Sequence, residues 1–111
     1  MRYSSVSMSV KAAELELFVL VDTMMFGKSA LSVRSTAAAA QSLLRDGRQG
    51  LQYVECFRVH GHLTVNTLVY AAHKYLREHD IHFLVGLYGD FQSAKAAAGT
   101  NGLVVEKQID A

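Results

Sequence analysis

From residue 13 to residue 108 the chain alternates apolar, strand-like segments with alanine-bearing, helix-like ones. Glycine stands between many of them, and proline occurs nowhere. "AELELFVLVD", residues 13 to 22, alternates and then turns continuously apolar, as a strand does when its second half is buried on both faces. "TMMFGKSA" reads as a turn around Gly27, and "ALSVRS", 30 to 35, as a second strand that makes a hairpin with the first. Ser35 or Thr36 can cap a helix running to about Asp46, with Ala37, Ala40 and Leu44 on one face and Gly47 at its end. "GLQYVECFRVHG", 50 to 61, is β-branched and aromatic, and reads as a strand.

The spacing of Val65, Leu68, Val69, Ala72 and Leu76 predicts a helix over 64 to 80, with His73, Lys74 and Arg77 on its polar side. "IHFLVGLYG", 81 to 89, reads as a strand. Asp90 caps a helix over "FQSAKAAA", Gly99 closes it, and "LVVEKQI" is a last strand. Strands separated by helices predict an α+β chain: a two-layer α/β sandwich, the ferredoxin-like arrangement favoured and a small open α/β sheet as the alternative. There is also an internal echo. Serine, an Ala-rich segment, a glycine turn and Gly-Leu lead to a valine and a glutamate twice, which aligns Gly50, Leu51 and Glu55 with Gly102, Leu103 and Glu106.

A chain of 111 residues suits one domain, and 50% hydrophobic with 19% charged residues excludes a disordered one. The serine-rich residues 1–10 are expected to be a flexible N-terminus, and 11–111 a single α/β domain. No apolar run approaches the roughly 18 to 20 residues of a membrane-crossing helix. One cysteine excludes an internal disulfide, and the expected setting is the cytoplasm. Charge is unevenly spread: residues 23 to 77 carry +5 and residues 78 to 111 carry −3. That asymmetry suits an acidic partner or attraction between copies.

All five histidines lie between positions 60 and 82. His60 and His62 bracket Gly61. On a strand, residues two apart share a face with Cα atoms roughly 6 to 7 Å apart, close enough for one metal ion, but two imidazoles still need a third ligand. His82 opens its strand whereas His60 ends its own, so in a parallel pair they lie far apart. Cys56 and His60 are roughly 13 Å apart along a strand, beyond contact. "DTMMFGKSA" imitates a phosphate-binding loop in Gly27, Lys28 and Ser29. It puts Asp22 where the first glycine belongs and leads into a strand rather than a helix.

Two candidate binding surfaces remain. Met24, Met25 and Phe26 form an apolar turn tip, suited to a partner or a second copy. Arg34, Arg45, Arg48 and Arg58, with Tyr53 and Phe57 on the neighbouring strand, suit phosphates and stacked bases. "FLVGLYGDFQSAKAAA", 16 of the 111 residues, resembles the strand–helix opening of SPOR-type peptidoglycan-binding domains. Those domains work outside the cytoplasmic membrane. The chain shows no export signal, so that resemblance is not adopted.

The leading expectation is a small non-catalytic protein–protein association or regulatory module, homodimeric, with a larger protein as a further partner and no cofactor. The alternative is a nucleic-acid-binding module using the arginine-rich middle. The third reading is a small metal-dependent or acid/base enzyme centred on His60 and His62.

Overall fold

The computed structural model describes residues 15–24, 27–44, 51–63 and 67–111. Within them run β1 (Glu16–Asp22), β2 (Ser29–Arg34), α1 (Ala37–Gln41), β3 (Gln52–His60), β4 (Leu68–Leu76), β5 (Ile81–Tyr88), α2 (Phe91–Ala98) and β6 (Leu103–Gln108). The strands form one mixed sheet in the order β2-β1-β3-β5-β4-β6. Its two edges come together where Val33 of β2 bridges Ile109 just beyond β6, and Asp110 N–H donates to the Val33 carbonyl at 2.9 Å. The sheet therefore nearly closes into a barrel.

The α+β expectation, whether ferredoxin-like sandwich or small open α/β sheet, is overturned: the chain is mostly β. The error has one main source. The segment expected as a helix over 64 to 80 holds strand β4, antiparallel to both β5 and β6. β4 is covered on both faces. Val69 and Ala71 join the interior core, while Ala72 packs outward against Ala94 and Ala98 of α2. A strand buried on both sides shows no period-two alternation, and its run of small and apolar residues fits helical spacing equally well. His73, expected on a polar helix face, is 2% exposed.

The other elements lie where sequence chemistry puts them. Thr36 caps α1, its hydroxyl accepting from Ala39 N–H at 3.1 Å, and Asp90 caps α2, its carboxylate accepting from Ser93 N–H at 2.8 Å. Gly99 ends α2 at φ 75, a left-handed value that favours glycine. Helix α1 is shorter than the span to Asp46, and residues 45–50 lie outside the described residues.

The barrel is one hairpin–helix–strand unit used twice. β1-β2-α1-β3 folds with β1 between its partners, and β4-β5-α2-β6 repeats this with β4 between its own. Both hairpins carry a register shift, between Leu20 and Val21 in the first and between Ala72 and His73 in the second. Both helices bury one alanine in the same place, Ala40 and Ala94, four residues after the cap. The seams between the units match as well. Val59 pairs in parallel with Leu87, and Ile109 pairs in parallel with Val33.

The echo seen in the sequence is thus a real structural repeat with a slipped alignment. Strand register makes Glu55, opposite Val19, equivalent to Val105, opposite Ala71. Glu106 lies one position further on. The interior core draws on both units, with Leu17, Val19, Val21, Val33, Val59, Leu84 and Leu87 each at most 2% exposed.

Candidate functional site

Pairing directions place both hairpin connections at one end of the barrel. The opposite end holds the finishing residues of β2, β3 and β5, the residues after β6, and the N-termini of both helices.

At the hairpin end β2 begins by touching β5 across the barrel. Lys28 N–H donates to the His82 carbonyl at 3.2 Å, and Leu84 N–H donates to the Lys28 carbonyl at 2.8 Å. The Lys28 side chain then reaches β3. Its Nζ is 2.9 Å from Glu55 Oε1 and 5.5 Å from the ring centroids of both Phe57 and Phe83. Beside it lies an open cleft of about 520 Å³ lined by Leu76, His79, Ile81 and Phe83. Gly27 ties the two hairpins together here: a Cβ on it would lie 3.1 Å from the His82 carbonyl oxygen and 4.0 Å from Ile81 Cβ. Phe83 is 38% exposed and Met24, on the neighbouring connection, 44%.

The connection from β4 to β5 is held locally. Tyr75 donates its hydroxyl to Asp80 Oδ1 at 2.6 Å, and that bond pushes the phenol's pKa up. The Tyr75 ring leans on His82 at 5.3 Å. His73 lies further in, its Nδ1 3.4 Å from the Leu103 carbonyl oxygen. Burial holds its pKa below the ordinary histidine value, so at neutral pH it is uncharged.

The opposite end holds two equivalent positions, furnished differently. After β6, Asp110 accepts from Ser35 N–H at 2.9 Å and from Ser35 Oγ at 2.6 Å, and these bonds hold its carboxyl below the usual range. At the end of β3, the equivalent place carries His60, stacked on Tyr88 with ring centroids 4.8 Å apart and planes at 22°. The row continues. Tyr88 pairs with Tyr70 across β5 and β4, and Tyr70 meets Phe91 of α2 edge-on at 6.1 Å. Gly86 makes room for the Tyr88 ring, since a Cβ there would lie 3.2 Å from it. His62 follows Gly61, which sits at φ 79, and is exposed. His60 and His62 therefore belong to an aromatic surface and a loop, and among the described residues no three His, Cys, Asp or Glu side chains converge as a metal site.

The remaining candidates fall in different places. Arg58 is exposed and sits 3.7 Å from Glu16. Tyr53 and Phe57 share one face of β3, but Phe57 packs against the interior core while Tyr53 is 39% exposed near the strand's start. Cys56 is exposed; partial desolvation and the nearby Glu16 carboxylate push its pKa up. Asp22 accepts from Met24 N–H at 2.6 Å and from Gln52 Nε2 at 3.2 Å, so its carboxylate closes the turn that imitated a phosphate loop. Met25, Phe26, Arg45 and Arg48 lie outside the described residues.

Sequence reasoning missed the partnership of His60 with Tyr88 and the cleft beside Phe83. The first depends on a strand pairing between residues far apart in the chain, and the second is lined by one hairpin that the helix expected over 64 to 80 concealed. No helix among the described residues is long and apolar enough to cross a membrane. Comparison of the chain with protein-family models, with curated proteins and with solved structures gives no match.

Proposed function

We propose that this chain is a non-catalytic association module that pairs with a second copy of itself through the hairpin end of the barrel, in a reducing, cytoplasmic setting. The cleft of Leu76, His79, Ile81 and Phe83 carries the reading, with Met24 exposed on the adjoining connection. Apolar side chains gathered at one end of a small barrel gain about 25 cal/mol for each Å² that a partner covers. A stable dimer buries roughly 800 Å² per copy, so the contact extends beyond the cleft over Met24 and the flanking connections. Lys28 and Glu55 neutralise each other beside the cleft, which lowers the cost of covering it. The exposed Cys56 thiol suits a compartment where thiols stay reduced.

The test is light scattering on a gel-filtration column across a concentration series, on the unaltered chain and on Phe83→Ser. A dimer that becomes a monomer in Phe83→Ser, with an unchanged far-ultraviolet spectrum, supports the reading. An unaltered chain that stays monomeric at every concentration removes it, and so does a dimer that Phe83→Ser leaves intact.

A further inference from the structure

Glu55, Phe57 and Phe83 converge on one ammonium group. The Nζ of Lys28 lies 2.9 Å from Glu55 Oε1 and 5.5 Å from the centroid of each phenylalanine ring. A cation is attracted to an aromatic face within about 6 Å of the ring centroid, more strongly where water is excluded. The ammonium at this place is the chain's own, carried on a flexible side chain. The Lys28 backbone is fixed separately, on the His82 carbonyl and the Leu84 N–H. We propose that Glu55, Phe57 and Phe83 form a recognition site for a primary alkylammonium group, with Lys28 as its internal occupant and an external amine as the ligand that displaces it.

The carboxylate selects a donor. Glu55 Oε1 is out of reach of solvent, and its contact with Lys28 lacks hydrogen-bond geometry, so that oxygen has no hydrogen-bond partner among the described residues. A primary ammonium has three N–H donors and can aim one at it, whereas a quaternary ammonium has none. The rings and the carboxylate together select positive charge, which excludes a phosphate or a carboxylate ligand. The cleft selects the rest of the molecule. Phe83 also lines it, with Leu76, His79 and Ile81, so an alkyl chain attached to the ammonium continues over apolar side chains.

The equivalent places in the second unit are furnished otherwise. Counted from the two register shifts, His82 corresponds to Lys28 and Ser29 to Phe83. The registers of β3 on β1 and of β6 on β4 set Val105 at the place of Glu55 and Lys107 at the place of Phe57. A requirement of the barrel itself would recur in both units. The carboxylate with two rings occurs in one.

Tethering gives Lys28 a high effective concentration at the site, so the unaltered chain binds an external amine weakly. The probe is n-hexylammonium chloride, followed by proton–nitrogen correlation NMR, with hexanol as the uncharged control of equal chain length. Lys28→Ala empties the site and is expected to bind the probe about tenfold more tightly than the unaltered chain, with resonance shifts at Glu55, Phe57 and Phe83. Adding Glu55→Gln should abolish that gain. Lys28→Gln, which keeps a long side chain and drops the charge, is measured alongside, so the comparison stands if the alanine variant does not fold. Equal affinity of the unaltered chain and the folded Lys28 variants overturns the proposal. So does a gain that Glu55→Gln leaves unchanged, or hexanol binding as tightly as hexylammonium. Light scattering on the same samples reports self-association separately, so either reading can fail alone.

Discussion

Lys28, just before β2, holds Glu55 of β3 over β1, the strand that lies between β2 and β3 in the sheet. Its ammonium is 2.9 Å from Oε1, an oxygen out of reach of solvent, and β2 and β3 are not neighbours in the sheet. Lys28→Met removes the only cation at that oxygen among the described residues and leaves a carboxylate oxygen desolvated. The expected loss is about 1–3 kcal/mol, nearer the lower figure because the rest of the Glu55 side chain reaches water. Adding Glu55→Gln removes the stranded charge and recovers part of the loss. Urea unfolding of the two single variants and the double variant tests this; additive losses would mean the pair is not coupled.

Among the glycines of the described residues, Gly89 marks the tightest crossing. A Cβ there would stand inside the van der Waals surface of the His62 carbonyl, a backbone group that cannot rotate away. Gly89 N–H also donates to the His60 carbonyl at 3.0 Å, tying the start of α2 to the end of β3. Gly89→Ala therefore has to push the β3–β4 connection off the barrel. A loss of roughly 2–4 kcal/mol is expected, with the His60–Tyr88 stack disturbed. Gly61→Ala is the control, since its Cβ would meet nothing within 4 Å and the cost comes only from φ 79. If the two variants lose equal stability, the crossing is looser than this geometry requires.

Local chemistry was readable in the sequence, and long-range pairing was not. The first hairpin and the caps at Thr36 and Asp90 follow from alternation and from side chains that satisfy helix N–H groups. β4 was misread because α2 covers its outer face and the core its inner face, which erases the strand signal at Tyr70 to His73. The repeat was audible as glycine, leucine and valine in the same order, but only the register of β3 on β1 and β6 on β4 shows which residues correspond. His60 drew notice as a metal ligand on its spacing from His62. Its stacking partner lies 28 positions on, joined by a parallel contact of two residue pairs that no local pattern encodes.

Asp110 closes the seam between β2 and the residues after β6. Its carboxylate accepts both the Oγ–H and the N–H of Ser35, and these bonds lower its pKa in the fold. A folded pKa below the unfolded one gives stability that is fully present above the unfolded value, near 4, and is lost as pH falls through the folded value. Asp110→Asn keeps the shape and removes the charge. It should lower Tm at pH 7 and flatten the acid limb of the stability curve below pH of about 4. A scanning-calorimetry series from neutral to acid pH checks it, and an unchanged acid limb would assign that limb to other carboxylates.

His73 occupies the place that Val21 fills in the first unit: each is the first residue of its strand beyond the register shift. An interior valine site holding an imidazole makes the fold sensitive to protons. Burial is the main cause of its lowered pKa. The Leu103 and Ala71 backbones oppose that shift, while His82 and Lys107 add to it. The folded pKa is below the unfolded value of about 6.5, so the unfolded chain binds the extra proton first. Stability is therefore full above that value and declines as pH falls toward the folded pKa, by up to about 1.4 kcal/mol per pH unit within that window. His73→Val restores the first unit's residue and removes the titration. Urea unfolding at pH 8, 6.5 and 5 should find the variant gaining on the unaltered chain only as pH falls, with the other histidines common to both. A constant difference at all three pH values would show that the imidazole ionises in the fold as readily as in the open chain.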